Sequence, residues 1–218
     1  IKVYINLHLL INTWYIHTEK IMIIWNDKDS EFYVKKYGNH FSMKIFSQLI
    51  SYKKYDSILD IGCGGGQLVN SINNNIDIAK IYGIDPSNKM IEISNKSIKS
   101  SNIKFLKGYA ENLEFKNNSF NIVLVLNSIF HWNNINNGLE EIFRVMKKNS
   151  ILYIGEERLK DGYLHGNQEI KNCLDLKKIL IQKSFKDIVT KNYFLKDEGF
   201  YFFFSKKERI NYFLRLNI

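Results

Sequence analysis

Ser57-Ile-Leu-Asp-Ile-Gly-Cys-Gly-Gly-Gly66 decides the fold. Ile58, Leu59 and Ile61 make a short apolar run that stops at a glycine cluster, after which Leu68, Val69 and Ile72 recur at helical spacing. An apolar run bounded by glycines reads as a buried strand, and the spacing behind it as an amphipathic helix. The unit is strand, glycine turn, helix. It repeats downstream, with Lys80-Ile-Tyr-Gly-Ile84 as a strand and Ser87 as the N-cap of a helix carrying Met90, Ile91 and Ile93. A third strand is expected at Ile103 to Leu106. Phe120 to Leu126 is nearly continuous in Val, Leu and Ile, as a strand covered on both faces should be. Leu139, Ile142, Phe143 and Met146 mark a further helix, and Ile151 to Ile154 a fifth strand. Short crossovers between alternating elements imply right-handed βαβ units, so the fold class is α/β, doubly wound around a mainly parallel sheet.

Both flanks extend this unit. Phe41, Ile45, Leu49 and Tyr52 recur at helical spacing and predict one cover helix over 31–52. Towards the C-terminus a helix is expected over 170–184. The runs Asp187 to Phe194 and Phe200 to Ser205 follow, separated only by Leu195-Lys-Asp-Glu-Gly199. A connection this short forms an antiparallel hairpin and forbids a parallel crossover, giving a seven-stranded, mostly parallel sheet closed by that hairpin. The domain is expected over 30–207, with residues 1–29 as an N-terminal extension and 208–218 as a tail. Val3 to Ile16 is apolar but broken by Asn6, His8 and Asn12, and is shorter than the roughly 20 residues of a membrane span. The first methionine is Met22, so residues 1–21 read as an upstream extension outside the functional domain.

Composition narrows the class. With 218 residues, 45% hydrophobic and 24% charged, the chain holds enough apolar side chains for a single large core. Cys63 and Cys173 are far apart and offer neither a disulfide framework nor zinc spacing, so a reducing cytoplasm is the expected compartment and no metal is expected. The net charge of +9 divides as +2 over residues 1–60, +1 over 61–140 and +6 over 141–218. A nucleic-acid reader concentrates its cations on one face or arm, so nucleic acid is not the expected partner. Oligomeric state is not legible.

In a doubly wound sheet the ligand lies at the C-terminal strand ends where connections diverge, which singles out the glycine turn. Gly62, Gly64 and Gly66 allow close backbone approach and positive φ. Asp85 ends the second strand 19 positions after Gly66, where a carboxylate can accept from both hydroxyls of a ribose. The dinucleotide fingerprint starting at Gly62 would need Gly or Ala at 67, but Gln67 stands there. Asp60 precedes the turn; its charge would repel a pyrophosphate and suits an ammonium and a sulfonium, so S-adenosylmethionine fits better than a nicotinamide dinucleotide.

Ile58-Leu-Asp-Ile-Gly-Cys-Gly-Gly-Gly66 resembles motif I of the class I S-adenosylmethionine-dependent methyltransferases. Asp85-Pro-Ser87 resembles that family's second-strand acid and Gly108-Tyr-Ala-Glu111 its adenine-edge segment. Phe120 to Leu126 with Asn127-Ser-Ile-Phe-His-Trp132 resembles the fourth-strand motif, and Leu139 to Lys147 the helix after it. The four motifs stand in order over residues 57–155. Two departures stand out: Lys148-Asn-Ser150 replaces the usual Pro-Gly-Gly before strand five, and Asn127-Ser-Ile-Phe130 replaces the Asn-Pro-Pro-Tyr of amino-methylating DNA enzymes. The nearest subgroup is the one acting on small molecules, of the ubiquinone-biosynthesis and trans-aconitate types.

The resemblance implies a cofactor, S-adenosyl-L-methionine, held by Asp60, Gly62, Cys63, Gly64, Gly66, Asp85, Pro86, Met90, Ala110, Glu111, Asn127 and Ser128. Cys63 is read as a small packed residue, not as a reactive thiol. His131 is the catalytic candidate, orienting or deprotonating the acceptor. His131, Trp132, Tyr33 and Tyr37 are candidates for binding it, with packing the competing reading for Trp132 and the commoner one for tyrosines placed like Tyr33 and Tyr37. Glu156, Glu157 and His165 are weaker candidates at the substrate mouth. The implied reaction is methyl transfer to an oxygen, nitrogen or carbon of a small molecule. The rivals are an RNA or protein methyltransferase docking through the basic last third, a non-catalytic cofactor-binding subunit, and a nicotinamide-dependent oxidoreductase.

Overall fold

The computed structural model describes residues 26–38, 40–54, 56–73, 80–158, 170, 172–195 and 198–207. The expected extension up to residue 25, the tail from 208 and His165 lie outside the described residues. The elements in order are α1 (Asp27–Tyr37), α2 (Phe41–Leu49), β1 (Ser57–Ile61), α3 (Gln67–Asn73), β2 (Lys80–Asp85), α4 (Asn88–Ser97), β3 (Ile103–Lys107) and β4 (Phe120–Leu126). After a single 3-10 turn (Ile129–His131) come α5 (Ile135–Val145), β5 (Met146–Arg158), α6 (Cys173–Gln182), β6 (Lys186–Leu195) and β7 (Glu198–Lys206).

The seven strands lie in the order β3-β2-β1-β4-β5-β7-β6. β1 to β5 pair in parallel, and β7 runs antiparallel between β5 and β6. The doubly wound sheet with its antiparallel hairpin is as the sequence implied. Because side chains alternate along a strand, each central strand feeds two cores. Leu59, Ile61, Val123, Val125, Leu152 and Ile154 face Leu139 and Ile142 of α5 and Leu176 and Leu180 of α6. Ile58, Ile122, Leu124 and Tyr153 face Phe46 of α2 and Leu68, Val69 and Ile72 of α3. From β1 the chain winds outward to β2, whereas β4 lies on its other side, so the strand order reverses between β1 and β4 and opens the crevice where such sheets bind ligands.

Three expectations need correction. The single helix over 31–52 is two helices, because His40 takes an extended conformation (φ −61, ψ 154) that ends one run and caps the next. Gly38-Asn39 is the local signal that the apolar spacing masked. α1 also begins at Asp27, inside the stretch assigned to the extension, with the Asn26 side chain accepting from Asp29 N as its cap. Strand five is longer than Ile151 to Ile154, running from Met146 directly after α5. The turn that lacks Pro-Gly-Gly is absorbed into that strand: Asn149 adopts φ 60, a left-handed conformation that Asn tolerates better than most side chains, and the ladder shifts register between Phe120 and Ile122. Among the described residues no helix is long and apolar enough to cross a membrane.

Candidate active site

The glycine turn is clamped onto the end of β2. Gly62 N and Cys63 N both donate to Ile84 O, at 2.8 and 3.0 Å, and Gly64 N donates to Asp85 Oδ2 at 3.0 Å. Gly62 has φ +75, and a Cβ there would stand 2.4 Å from Ser128 Cβ, so the turn and the segment after β4 touch. Gly64 has φ +52, and among the described residues the only atom a Cβ there would approach within 4 Å is Met90 Sδ, at 4.0 Å. Among the described residues, that leaves room beside a half-buried glycine, the condition for close approach of a ligand.

Asp85 is 8% exposed; Oδ2 takes the Gly64 N–H and Oδ1 the Ser87 N–H at 2.9 Å, which fixes the carboxylate while each oxygen keeps a lone pair. Burial raises its pKa, against the lowering effect of those two bonds. Asp60 is 2% exposed, and its Oδ2 has no hydrogen-bond partner among the described residues. Burial first, then the neighbouring Asp85, pushes its carboxyl up to about 7. A buried, orphaned acid beside a fixed one is costly unless a ligand brings positive charge and donors. The donor set therefore fits S-adenosyl-L-methionine, whose ammonium, sulfonium and ribose hydroxyls supply both.

The remaining cofactor candidates surround this centre unequally. Met90 and Ala110 are buried, at 3% and 4% exposure, and Pro86 is exposed beside Asp85. Glu111 is half-buried and its Oε1 accepts from Asn134 N at 3.0 Å, so it ties the post-β3 segment to the start of α5. Cys63 is 7% exposed, and its burial next to Asp60 and Asp85 raises the thiol pKa, as an inert packed residue requires. Ser128 donates to Ile61 O at 2.8 Å.

A second group of side chains stands at the ends of β4 and β5. Asn127, at φ 50, donates through Nδ2 to Glu157 Oε1 at 2.9 Å and accepts from Glu157 N at 3.1 Å. Ser42 Oγ donates to the same Glu157 oxygen at 2.8 Å, and His40 Nδ1 lies 2.9 Å from it. Glu156 is 2% exposed and accepts from Ile129 N at 3.3 Å; burial raises its pKa. α1 lies over these strand ends. Tyr33 and Tyr37 have ring centroids 5.1 Å apart, and burial together with Glu157, Glu156, Tyr37 and Asp85 pushes the Tyr33 phenol above its usual range. Tyr33 therefore sits within the electrostatic reach of both halves of the site and keeps its proton. Val34 covers the glycine turn, with Cγ2 2.9 Å from where a Gly65 Cβ would stand, and Ser30 Oγ lies 3.3 Å from Ser87 Oγ.

His131 and Trp132 separate. His131 is exposed at the end of the 3-10 turn. Trp132 is 8% exposed and belongs to the core beneath α5, its Cε3 only 2.5 Å from where a Gly138 Cβ would stand. His40 and Ser42 were not among the sequence candidates: Ser42 lies 115 residues from Glu157, and no local spacing announces the contact. Among the described residues no three His, Cys, Asp or Glu are grouped as metal ligands.

Fold and turn together define a nucleoside-binding protein of the Rossmann-like type. Methyltransferase domains match as a family over residues 59–154. A ubiquinone/menaquinone biosynthesis C-methyltransferase of Campylobacter jejuni is 31% identical over 168 residues, covering 72% of this chain and 68% of the relative. An uncharacterized protein of Methanocaldococcus jannaschii is 29% identical over 207 residues, 85% of this chain and 79% of the relative. Phosphoethanolamine N-methyltransferase 2 of Haemonchus contortus, solved with S-adenosyl-L-methionine, superposes with a TM-score of 0.70 at 17% identity, covering 84% of this chain and 58% of that one. The chain belongs to the class I S-adenosylmethionine-dependent methyltransferases, in the subgroup of the ubiquinone-biosynthesis enzymes. It is a methyltransferase, and its cofactor is S-adenosyl-L-methionine.

Proposed function

We propose that the protein methylates an oxygen, nitrogen or carbon atom of a small-molecule acceptor, in the cytoplasm. The observation that carries this reading is the meeting of two groups at adjacent strand ends: the Asp60, Gly64 and Asp85 cradle, and the Tyr33, Asn127, Glu156 and Glu157 cluster under α1. The cofactor supplies a methyl group already activated on a sulfonium. The chain's work is then alignment and exclusion of water, which contribute several kcal/mol when nucleophile and carbon are held at about 3 Å.

Asp85 holds the ribose hydroxyls, and Asp60 faces the cationic methionine end. Gly62, Cys63, Gly64, Gly66 and Ser128 shape the backbone there. Pro86, Met90, Ala110 and Glu111 border the adenosine side, and Asn127 joins the two halves. Tyr33 and Tyr37 close the acceptor side from α1, with the Tyr33 hydroxyl as a hydrogen-bond donor. Trp132 supports that side from below, and His131 at the exposed rim orients the acceptor. The relatives support the coarse class and differ in the atom: the Campylobacter enzyme is named a C-methyltransferase, one from Pyrenophora dematioidea an O-methyltransferase, and the Haemonchus enzyme an N-methyltransferase.

The test is incubation of the purified chain with methyl-labelled cofactor and a whole-cell extract. Label in the small-molecule fraction is the expected outcome. Label confined to RNA or protein, or no label despite cofactor binding, would replace this reading with one of its rivals.

A further inference from the structure

β4 ends at Leu126, whose partner on β5 is Gly155, while β5 runs on to Arg158 beside β7. The first two β5 residues past that point are Glu156 and Glu157. Because side chains alternate along a strand, Glu156 shares the face of Leu152 and Ile154, and Glu157 that of Tyr153. From these opposite faces both acids reach back to the segment that leaves β4. Glu157 Oε1 accepts from Asn127 Nδ2 at 2.9 Å, and Glu157 N donates to Asn127 Oδ1 at 3.1 Å. Ser42 Oγ, at 2.8 Å, and His40 Nδ1, at 2.9 Å, meet the same Oε1 from the start of α2. Glu156 Oε1 accepts from Ile129 N at 3.3 Å, and so serves one of the N–H groups that the opening of a helical turn leaves without an internal partner. Between the two acids, Asn127 N donates to Gly155 O at 2.8 Å.

The backbone held in this way would not keep its shape alone. Asn127 stands at φ 50, in the left-handed region, where a residue persists only if its surroundings over-determine it. On one side Ser128 Oγ donates to Ile61 O at 2.8 Å, and Ser128 Cβ closes against Gly62, so the segment rests on the glycine turn. On the other side the 3-10 turn carries the chain to His131 at the rim. Glu156 is 2% exposed; burial raises its pKa, and the carbonyl of a neutral carboxyl accepts an N–H as an amide oxygen does.

We propose that Glu156 and Glu157 are positioning residues for methyl transfer: from the two faces of β5 they hold residues 127–129 on the glycine turn and so aim the turn after β4 at the acceptor side. This rests on the reading of the site as methyl transfer to a small molecule. Each acid acts through the oxygen it offers to the segment, and neither takes part in a proton transfer. Ser128 has its own bond to β1, so the cofactor half of the site stays in place when an acid is removed, while the acceptor half loosens. Misplacement by about 1 Å costs up to about 100-fold in rate, which sets the scale of the effect.

Full-length wild type is compared with Glu156→Ala, Glu157→Ala, Glu156→Gln and Glu157→Gln, each checked for fold by circular dichroism. Calorimetry with S-adenosylhomocysteine should give affinities within about threefold of wild type for every variant. A larger loss in either alanine variant makes the acid a support of the cofactor cradle and overturns the proposal. Methyl label entering the small-molecule fraction of a cell extract is then followed against cofactor concentration, with rates expressed per cofactor site counted by calorimetry, which removes any loss of folded protein. At saturating cofactor both alanine variants should run about 10- to 100-fold slower than wild type, with the KM for S-adenosyl-L-methionine little changed. Both glutamine variants keep an acceptor oxygen and should retain most of the wild-type rate. Glutamine variants as slow as the alanine ones assign the carboxylates to charge or proton transfer and overturn the proposal, as does an alanine variant at the wild-type rate. If Glu156→Ala does not fold, Glu157→Ala decides by the same criteria. A wild type that binds S-adenosylhomocysteine yet labels no small molecule overturns the underlying reading, and the role of the two acids with it.

Discussion

Asp60 and Asp85 end neighbouring parallel strands, Asp60 paired with Gly83 two residues before Asp85, and their environments give them different work. Asp85 has two backbone N–H donors, whereas Asp60 keeps a buried oxygen without one. An acid held at about 7, against 3.8 for an unperturbed aspartate, keeps its proton in the folded chain where the unfolded chain has lost it. Its contribution to ligand-free stability is therefore fully present below about pH 4 and lost as pH rises through about 7. At 1.36 kcal/mol per unit the loss amounts to at most about 4 kcal/mol. Asp60→Asn should remove that share of the decline, so that the ligand-free variant melts above wild type at pH 8 while binding the cationic cofactor more weakly. Melting curves at several pH values check the first part and calorimetry the second. Asp85→Ala should weaken S-adenosylhomocysteine by about 1.5–3 kcal/mol, the scale of charged hydrogen bonds, with the fold intact by circular dichroism. An unchanged affinity would remove the ribose assignment.

The elements are held by close approaches that particular glycines permit. Gly138 lies within α5, where Gly→Ala ordinarily gains about 1 kcal/mol of helix propensity. Here the new Cβ would stand 2.5 and 2.7 Å from Cε3 and Cζ3 of the buried Trp132. Overpacking of that kind costs about 1–3 kcal/mol, so Gly138→Ala should lower the urea midpoint despite the better helix former. An unchanged or higher midpoint would show that Trp132 has room to move. α1 is anchored differently, by Val34 on the glycine turn, Ser30 against Ser87 and Lys89 paired with Glu31 at 2.9 Å. The ion pair carries little weight because its Glu31 end is exposed; the apolar contact on the turn and the buried Ser30 hold the helix over the site.

At the scale of the whole molecule, the excess charge of the last third is partly committed inside it. Lys207 Nζ donates to Phe143 O and Met146 O, both at 2.7 Å, closing carbonyls at the end of α5. Lys183 pairs with Glu140 at 2.6 Å and Lys206 with Asp187 at 3.6 Å. Among the described residues, these contacts leave fewer cations for the continuous phosphate-tracking stripe that an RNA reader uses. Filter binding to a structured RNA at about 150 mM salt should accordingly show no retention, and tight binding that falls steeply with added salt would revive the docking rival. The sequence determined the parallel sheet, its hairpin, the glycine turn and the acid after β2, because each is written in residues close along the chain: apolar runs, turn glycines and connection lengths. It did not reveal the break at His40, the burial of Trp132 against Gly138, or the grouping of His40 and Ser42 with Asn127 and Glu157. Those contacts join segments that no periodicity relates, and they exist only because the sheet order places the ends of β4 and β5 under the first two helices.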